Sequence, residues 1–294
     1  SSGSPVLNAK GHAIALNAGG KVGTSAGFFL PLDRAARALR LLQSGEPVTR
    51  GTVQAVCTHQ PFDEARRLGL PAEEEVAIRA AAPDARGILV VSELLPSGPA
   101  ADEMQPGDIV LRVGGALCTS FVMLEELLDD SIHSEVEVDL CRNGVVKKLS
   151  LKVDDLHELT PGRYFEFGGG VVNELSYQQA RNHGLPARGV YVAHPGYMLR
   201  QGRISRGCII DAVDGVPTPD LDSFISQMAT RHHGDPITVR FYDIAHRSHI
   251  KLAALRMDRK WFPAVISQRS DPRMIGDDWT ITDLAMPPPR SSTT

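Results

Sequence analysis

The sequence predicts a fold that is mainly β with short helices, and three observations support it. Short runs alternate apolar and polar residues, glycine and proline punctuate them, and the chain repeats its own phrases one hundred residues apart. Glu135-Val136-Glu137-Val138-Asp139-Leu140 and Pro236-Ile237-Thr238-Val239-Arg240-Phe241 have the period of two that suits half-buried antiparallel strands. Their matching positions in two copies make them equivalent elements of two like domains.

The repeat is specific. In the first copy Ala65-Arg66-Arg67-Leu68-Gly69-Leu70-Pro71 is followed by Gly87-Ile88-Leu89-Val90-Val91 and Gly107-Asp108-Ile109-Val110-Leu111-Arg112-Val113-Gly114-Gly115. In the second, Ala180-Arg181-Asn182-His183-Gly184-Leu185-Pro186 is followed by Gly189-Val190-Tyr191-Val192-Ala193 and Gly207-Cys208-Ile209-Ile210-Asp211-Ala212-Val213-Asp214-Gly215. Each copy then reads as a helix, Phe121 to Leu128 or Leu221 to Ala229, and a closing pair of strands.

The opening residues have a different organisation. Ser1-Ser2-Gly3-Ser4 is the kind of run an expression tag leaves, but Pro5-Val6-Leu7-Asn8, the turn Ala9-Lys10-Gly11 and the alternating His12-Ala13-Ile14-Ala15-Leu16 read as a hairpin. Gly27-Phe28-Phe29-Leu30-Pro31-Leu32-Asp33 then leads to an amphipathic helix, with Asp33 as its N-cap and Ala35, Ala36, Leu39, Leu41 and Leu42 apolar.

Composition bounds the function. The 294 residues suit about two domains, with 42% hydrophobic and 22% charged residues and a net charge of -4 spread along the chain. Neither nucleic acid nor an anionic membrane is indicated as a partner, and no apolar run reaches the ~20 residues of a membrane span. Cys57, Cys118, Cys141 and Cys208 lie far apart, as buried free thiols of a reducing compartment do. His232-His233 has no cysteine or acidic cluster at ligand spacing, so no metal is expected, and no cofactor. Gly168-Gly169-Gly170 lacks the Lys-Ser/Thr and the helix that a phosphate cradle needs.

Two motifs carry a resemblance. Ser1-Ser2-Gly3-Ser4-Pro5 resembles the nucleophile segment of trypsin-like serine proteases, and Gly107-Asp108-Ile109-Val110-Leu111-Arg112-Val113-Gly114-Gly115, after Pro96-Ser97-Gly98-Pro99-Ala100-Ala101, resembles the central signature of PDZ domains. Their order is similar to the HtrA/DegP family, and the Asp258-Arg259-Lys260-Trp261 continuation to its fungal nuclear, pro-apoptotic branch. The resemblance implies the C-terminal part of a trypsin-like β-barrel over residues 1–48, PDZ domains over 49–155 and 156–257, and a linker over 258–294 toward a degenerate second protease half.

The resemblance also assigns roles. Ser2 is the expected nucleophile; Ser1 and Ser4 stand where Asn and Gly are commoner, and Asn17-Ala18-Gly19-Gly20 hints at the specificity wall. PDZ domains add a peptide strand to a sheet edge beside a helix, with a loop of backbone amides at its end. That loop is expected near Arg50, Gly51, Thr52, Val53 and Gln54 in the first domain, beside a helix over 61–68. In the second it is expected near Tyr164, Phe165, Glu166, Phe167, Gly168, Gly169 and Gly170, beside a helix over 176–183.

In this fold class the triad histidine and aspartate precede the serine, so residues 1–294 alone are expected to be inactive, with Val6, Leu7, Ile14 and Leu16 left on exposed faces. Two readings follow. The chain belongs to an ATP-independent serine endopeptidase of protein quality control and cell death in the nucleus, whose PDZ domains bind unfolded or C-terminal peptide segments. Alternatively, it is a non-enzymatic tandem PDZ adaptor. Oligomeric state is not legible.

Overall fold

The computed structural model describes residues 2–20, 23, 26–270, 279–285 and 287. The chain divides into two compact units, residues 1–92 with 105–155, and residues 93–104 with 156–294.

The first unit opens with a three-stranded antiparallel sheet, β1 (Pro5–Leu7), β2 (Ala13–Gly20) and β3 (Gly27–Pro31). The Asn8 side chain accepts the Lys10 and His12 amides and so closes the turn between β1 and β2. Leu7 and Ile14 are more than half exposed, as are Phe28 and Phe29, whereas Val6 and Leu16, also expected on exposed faces, are half-buried by the pairing of β1 with β2.

Helix α1 (Leu32–Ser44) follows directly. Asp33 falls in its first turn, and Pro31 holds the cap position without a side-chain bond. Apolar periodicity predicts that Leu39 and Leu42 are buried, yet both are exposed and Arg34 is buried instead. The reason is an ion-pair network described below, which turns the basic side of the helix inward.

The remainder of this unit is a six-stranded sheet in the order β10-β9-β7-β6-β5, with β8 paired to β7. A two-residue strand β4 (Gly51–Thr52) leads into β5 (Ala55–Pro61), helix α2 (Phe62–Arg67) and helix α3 (Ala72–Ala81). Next come β6 (Gly87–Leu94), β7 (Ile109–Val113), β8 (Ala116–Leu117) and helix α4 (Phe121–Asp129). The hairpin β9 (Glu135–Arg142) and β10 (Val145–Lys152) turns at Asn143-Gly144, both at positive φ. A short β11 (Asp154–Asp155) pairs back on β4. Phe62, Ala65, Leu70, Ile78, Ile88, Val90, Ile109, Leu111 and Cys141 form one buried cluster.

Helix α3 is absent from the sequence reading, because the second copy has only Arg188 and Ala187 between Pro186 and Gly189 where the first has residues 72–86. Pro71 followed by Glu73, Glu74 and Glu75 is a helix-start signal that marks it.

The second unit is built on one nine-stranded sheet, in the order β18-β17-β15-β14-β13-β12-β19-β20 with β16 beside β15. Its elements are β12 (Arg163–Phe167), β13 (Gly170–Glu174), α5 (Tyr177–His183), β14 (Val190–His194), α6 (Met198–Gln201), β15 (Cys208–Val213) and β16 (Val216–Pro217). Helix α7 (Leu221–Ala229), β17 (Pro236–Asp243), β18 (Lys251–Arg256), β19 (Val265–Arg269) and β20 (Trp279–Asp283) complete it.

Residues 258–294, read from sequence as linker, thus contribute two paired strands, with Tyr164 and Trp279 rings 5.2 Å apart. Alternation in Trp279-Thr280-Ile281-Thr282 was the available signal. Most of the proline-rich end, residues 286 and 288–294, lies outside the described residues.

Candidate functional site

Three places hold the residues singled out in the sequence: the serine segment and the two loops that precede β5 and β13. Ser2 is exposed at the entry to β1. The neighbouring Gly3, at φ 84, donates its amide to the Asn17 carbonyl at 2.7 Å, and the Asn17 amide returns a bond to the Ser4 carbonyl at 2.9 Å. Asn17 therefore faces the serine turn across the ladder, and a register shift between Asn17 and Gly19 follows on the β3 side. Ser1 lies outside the described residues.

In the first unit β5 is the terminal strand of its sheet, so one of its edges carries no partner strand among the described residues. The helix beside it is α4. At one end Ser120, which caps α4 by accepting the Met123 amide, shares an open pocket of about 610 Å³ with His59 of β5. At the other end α4 abuts Gly51, where an added Cβ would collide with the Leu128 carbonyl oxygen. Helix α2, taken from the sequence as the groove helix, instead buries Phe62 and Ala65 in the core. The resemblance placed the groove helix over 61–68, whereas α4 is the helix whose two ends meet His59 and Gly51.

The loop before β5 is knitted to the chain. Gly51 donates its amide to Asp129 Oδ1 at 2.8 Å, and β4 pairs with β11. Gln54 donates its amide to the Thr52 hydroxyl at 2.9 Å and its side-chain amide to Asp154 at 2.9 Å. Thr52, Val53 and Gln54 are buried, while Arg50 is about one-third exposed at 34%.

Asp129, only 2% exposed, is the hub of this corner. Arg34 reaches it at 2.8 Å, Arg37 at 3.5 Å and Arg50 at 3.9 Å. Arg34 also pairs with Glu125 at 2.8 Å, and Arg37 with Asp130 at 2.7 Å. A carboxylate this deep needs such partners, since an uncompensated buried charge costs several kcal/mol. Helix α1 is thereby fastened to the end of α4.

The equivalent loop in the second unit is built differently. Tyr164 to Phe167 belong to β12, which pairs on one side with β13 and on the other with β19. Gly168 and Gly169, at φ 55 and 73, form the two-residue turn between β12 and β13. Positive φ at both turn positions fits a type I′ hairpin, which glycines allow without strain. The expected open amide loop at Tyr164, Phe165, Glu166, Phe167 and Gly168 is thus a closed hairpin. The Gly168 carbonyl accepts the amides of Tyr197 and Met198 at 3.2 and 3.0 Å, which anchors it.

Phe165 and Phe167 project from one face of β12, stacked with centroids 5.3 Å apart, and both meet the edge of Phe224 on α7. Both are buried, at 0% and 1% exposure. Arg163 binds Asp222 on α7 through two nitrogens at 2.6 and 2.7 Å and Glu174 on β13 at 3.0 Å. Helix α5, the sequence-assigned groove helix, is capped by Ser176 and buries Tyr177 and Ala180. The Arg163 guanidinium holds the Asp222 carboxyl below the usual carboxylate range.

Burial pushes the Cys57 thiol up to about 11 and the Cys118 thiol up to about 12, so both are inert in this environment. No helix among the described residues is long and apolar enough to cross a membrane.

A PDZ-like domain family matches residues 158–233. The pro-apoptotic serine protease NMA111 of Vanderwaltozyma polyspora is 42% identical over 262 residues, covering 89% of this chain and 26% of that protein. The pro-apoptotic serine protease nma111 of Aspergillus fumigatus is 42% identical over 291 residues, 98% of this chain and 28% of that protein. Among solved structures, an HtrA-type protease AlgW with decapeptide aligns at 19% identity and TM-score 0.33, over 51% of this chain and 44% of that one. The chain spans a little over a quarter of the length of the curated relatives it matches. Over that span it is a relative of the proteins named pro-apoptotic serine protease NMA111.

Proposed function

We propose that the chain is the nucleophile-bearing end and the paired PDZ-like modules of a serine endopeptidase, with Ser2 as the attacking residue and the first module as its peptide-holding surface. The unpaired edge of β5 alongside α4 carries the peptide-holding reading. An extended segment adds to such an edge through its main chain and uses the flanking groove for alternate side chains. Arg50, Gly51, Thr52 and Val53 form the end wall of that groove. The relatives' names support hydrolysis of protein and a role in cell death, and the nucleus is the expected location.

A serine hydroxyl becomes a nucleophile when a histidine accepts its proton and a carboxylate orients that histidine. Exposure of Ser2, next to a Gly3 whose backbone is bonded to Asn17, supports this reading. The test is fluorophosphonate labelling of the natural protein that carries this segment, before and after Ser2→Ala. Labelling that disappears in the variant supports the reading. Persistence of labelling in the variant refutes Ser2 as nucleophile, and no labelling of either with retained peptide binding favours the adaptor.

A further inference from the structure

Resting on the proposed groove in the first module, we infer that this module takes internal extended segments of polypeptide rather than free C-termini. The loop at the end of the groove is already supplied with a carboxylate from its own chain. Asp129 accepts the Gly51 amide at 2.8 Å, and the Thr52 hydroxyl accepts the Gln54 amide at 2.9 Å. A terminal carboxylate arriving there finds two of the loop's donors engaged. Sharing or breaking a satisfied bond removes most of the gain a new one brings.

The charges at this corner point the same way. Arg34, Arg37 and Arg50 all converge on Asp129, and the first two are further paired with Glu125 and Asp130. Three basic groups therefore meet three carboxylates, with no surplus of positive charge to attract a fourth. A like charge beside the buried Asp129 would be repelled in a region where screening is weak. Gln54 adds a steric element. It is 6% exposed, sits at φ 58 and is held by Asp154, so it fixes the turn in its closed form. The other end of the groove, by contrast, remains open at His59, Thr119 and Ser120. A strand that carries neither terminus at the loop loses nothing from this arrangement.

The test uses the 294-residue chain and a mixture of decapeptides from denatured β-casein. The best binder is resynthesised as free acid, as amide and with two further residues at its C-terminus. Affinities of all three forms within about threefold, with β5 amides protected from hydrogen exchange in each complex, are the expected result. A free acid that binds tenfold or more tightly than its amide overturns the inference while leaving the groove reading intact. No binding, or binding without protection of β5, removes the groove reading and the inference with it. Asp129→Asn adds a second readout: freeing the arginines should create a preference of fivefold or more for the free acid. A stably folded variant with no such preference contradicts the role given to Asp129.

Discussion

The two modules use equivalent positions to opposite ends. Counting back from the shared Ala-Leu phrases, Ala65 matches Ala180 and Gln54 matches Gly169, both 115 residues apart. In the first module the segment before this position is a two-residue strand that turns away to β11, and β5 keeps a bare edge. In the second the same segment is five residues of strand, folded onto β13 and backed by β19. The second module thus packs its own Phe165 and Phe167 there, where in the first the outer edge of β5 has no partner strand among the described residues. Repetition in sequence does not carry over repetition of an open edge.

A second exchange accompanies this one. Asp108 of the first module, 1% exposed, is held by Arg142 through two bonds of 2.7 Å. The second module has Cys208 and Asp243 at these places, facing each other in the β15–β17 register. Both members changed together, so no buried charge is left alone.

The largest effect is expected where each module is most dependent on a single group. Asp129→Ala should destabilise the first unit by about 3–5 kcal/mol, since it removes the buried carboxylate that Arg34, Arg37 and Arg50 share. Phe167→Ala should cost the second unit about 3–5 kcal/mol through the cavity it leaves. Chemical denaturation followed by hydrogen exchange assigns each loss to its unit. If Phe167→Ala left the second unit as stable as before, β12 would not be the element that fills it.

A smaller effect tests the turn. Gly169→Ala forces a side chain to φ 73 and toward the Phe262 ring, 3.0 Å from the added Cβ, and should cost about 1–2 kcal/mol. The same measurement on Gln54→Gly sharpens the comparison, because glycine adopts φ 58 without strain and removes the side-chain bond to Asp154. A clear loss is expected at Gly169→Ala and a smaller one at Gln54→Gly, where relief of the positive φ offsets part of the lost bond.

The smallest effect is electrostatic. The folded-state pKa of Asp222 lies below its unfolded value, so its pairing with Arg163 is fully present above the ordinary carboxylate range and is lost as pH falls through the depressed pKa. Asp222 is 71% exposed, and an exposed pair contributes under about 1 kcal/mol. Asp222→Asn should therefore flatten the acid limb of the second unit's stability curve slightly and leave the first unit's unchanged. A curve of unchanged shape would show that the clamp does not hold β12.

Local signals reached a good part of this molecule. The alternation of Glu135 to Leu140, the Asn143-Gly144 turn and the Ser120 and Ser176 caps are consequences of neighbours in sequence, and the elements they specify form. The helix α1 was legible as a helix but not in its orientation. Its apolar stripe argued for burying Leu39 and Leu42, whereas the partner that decides the matter, Asp129, lies ninety-five residues beyond Arg34.

What the sequence by itself determined is the repeat, the β character of both modules, the serine turn and the family resemblance, because each rests on residue identity at short or fixed spacing. Only the tertiary structure decided which helix flanks β5, that Asp129 occupies the first loop, and that β12 with β19 closes the second module. Those outcomes depend on which backbone donors and apolar faces find partners across the fold. A strand edge is open or filled according to what packs there, and no local pattern records that.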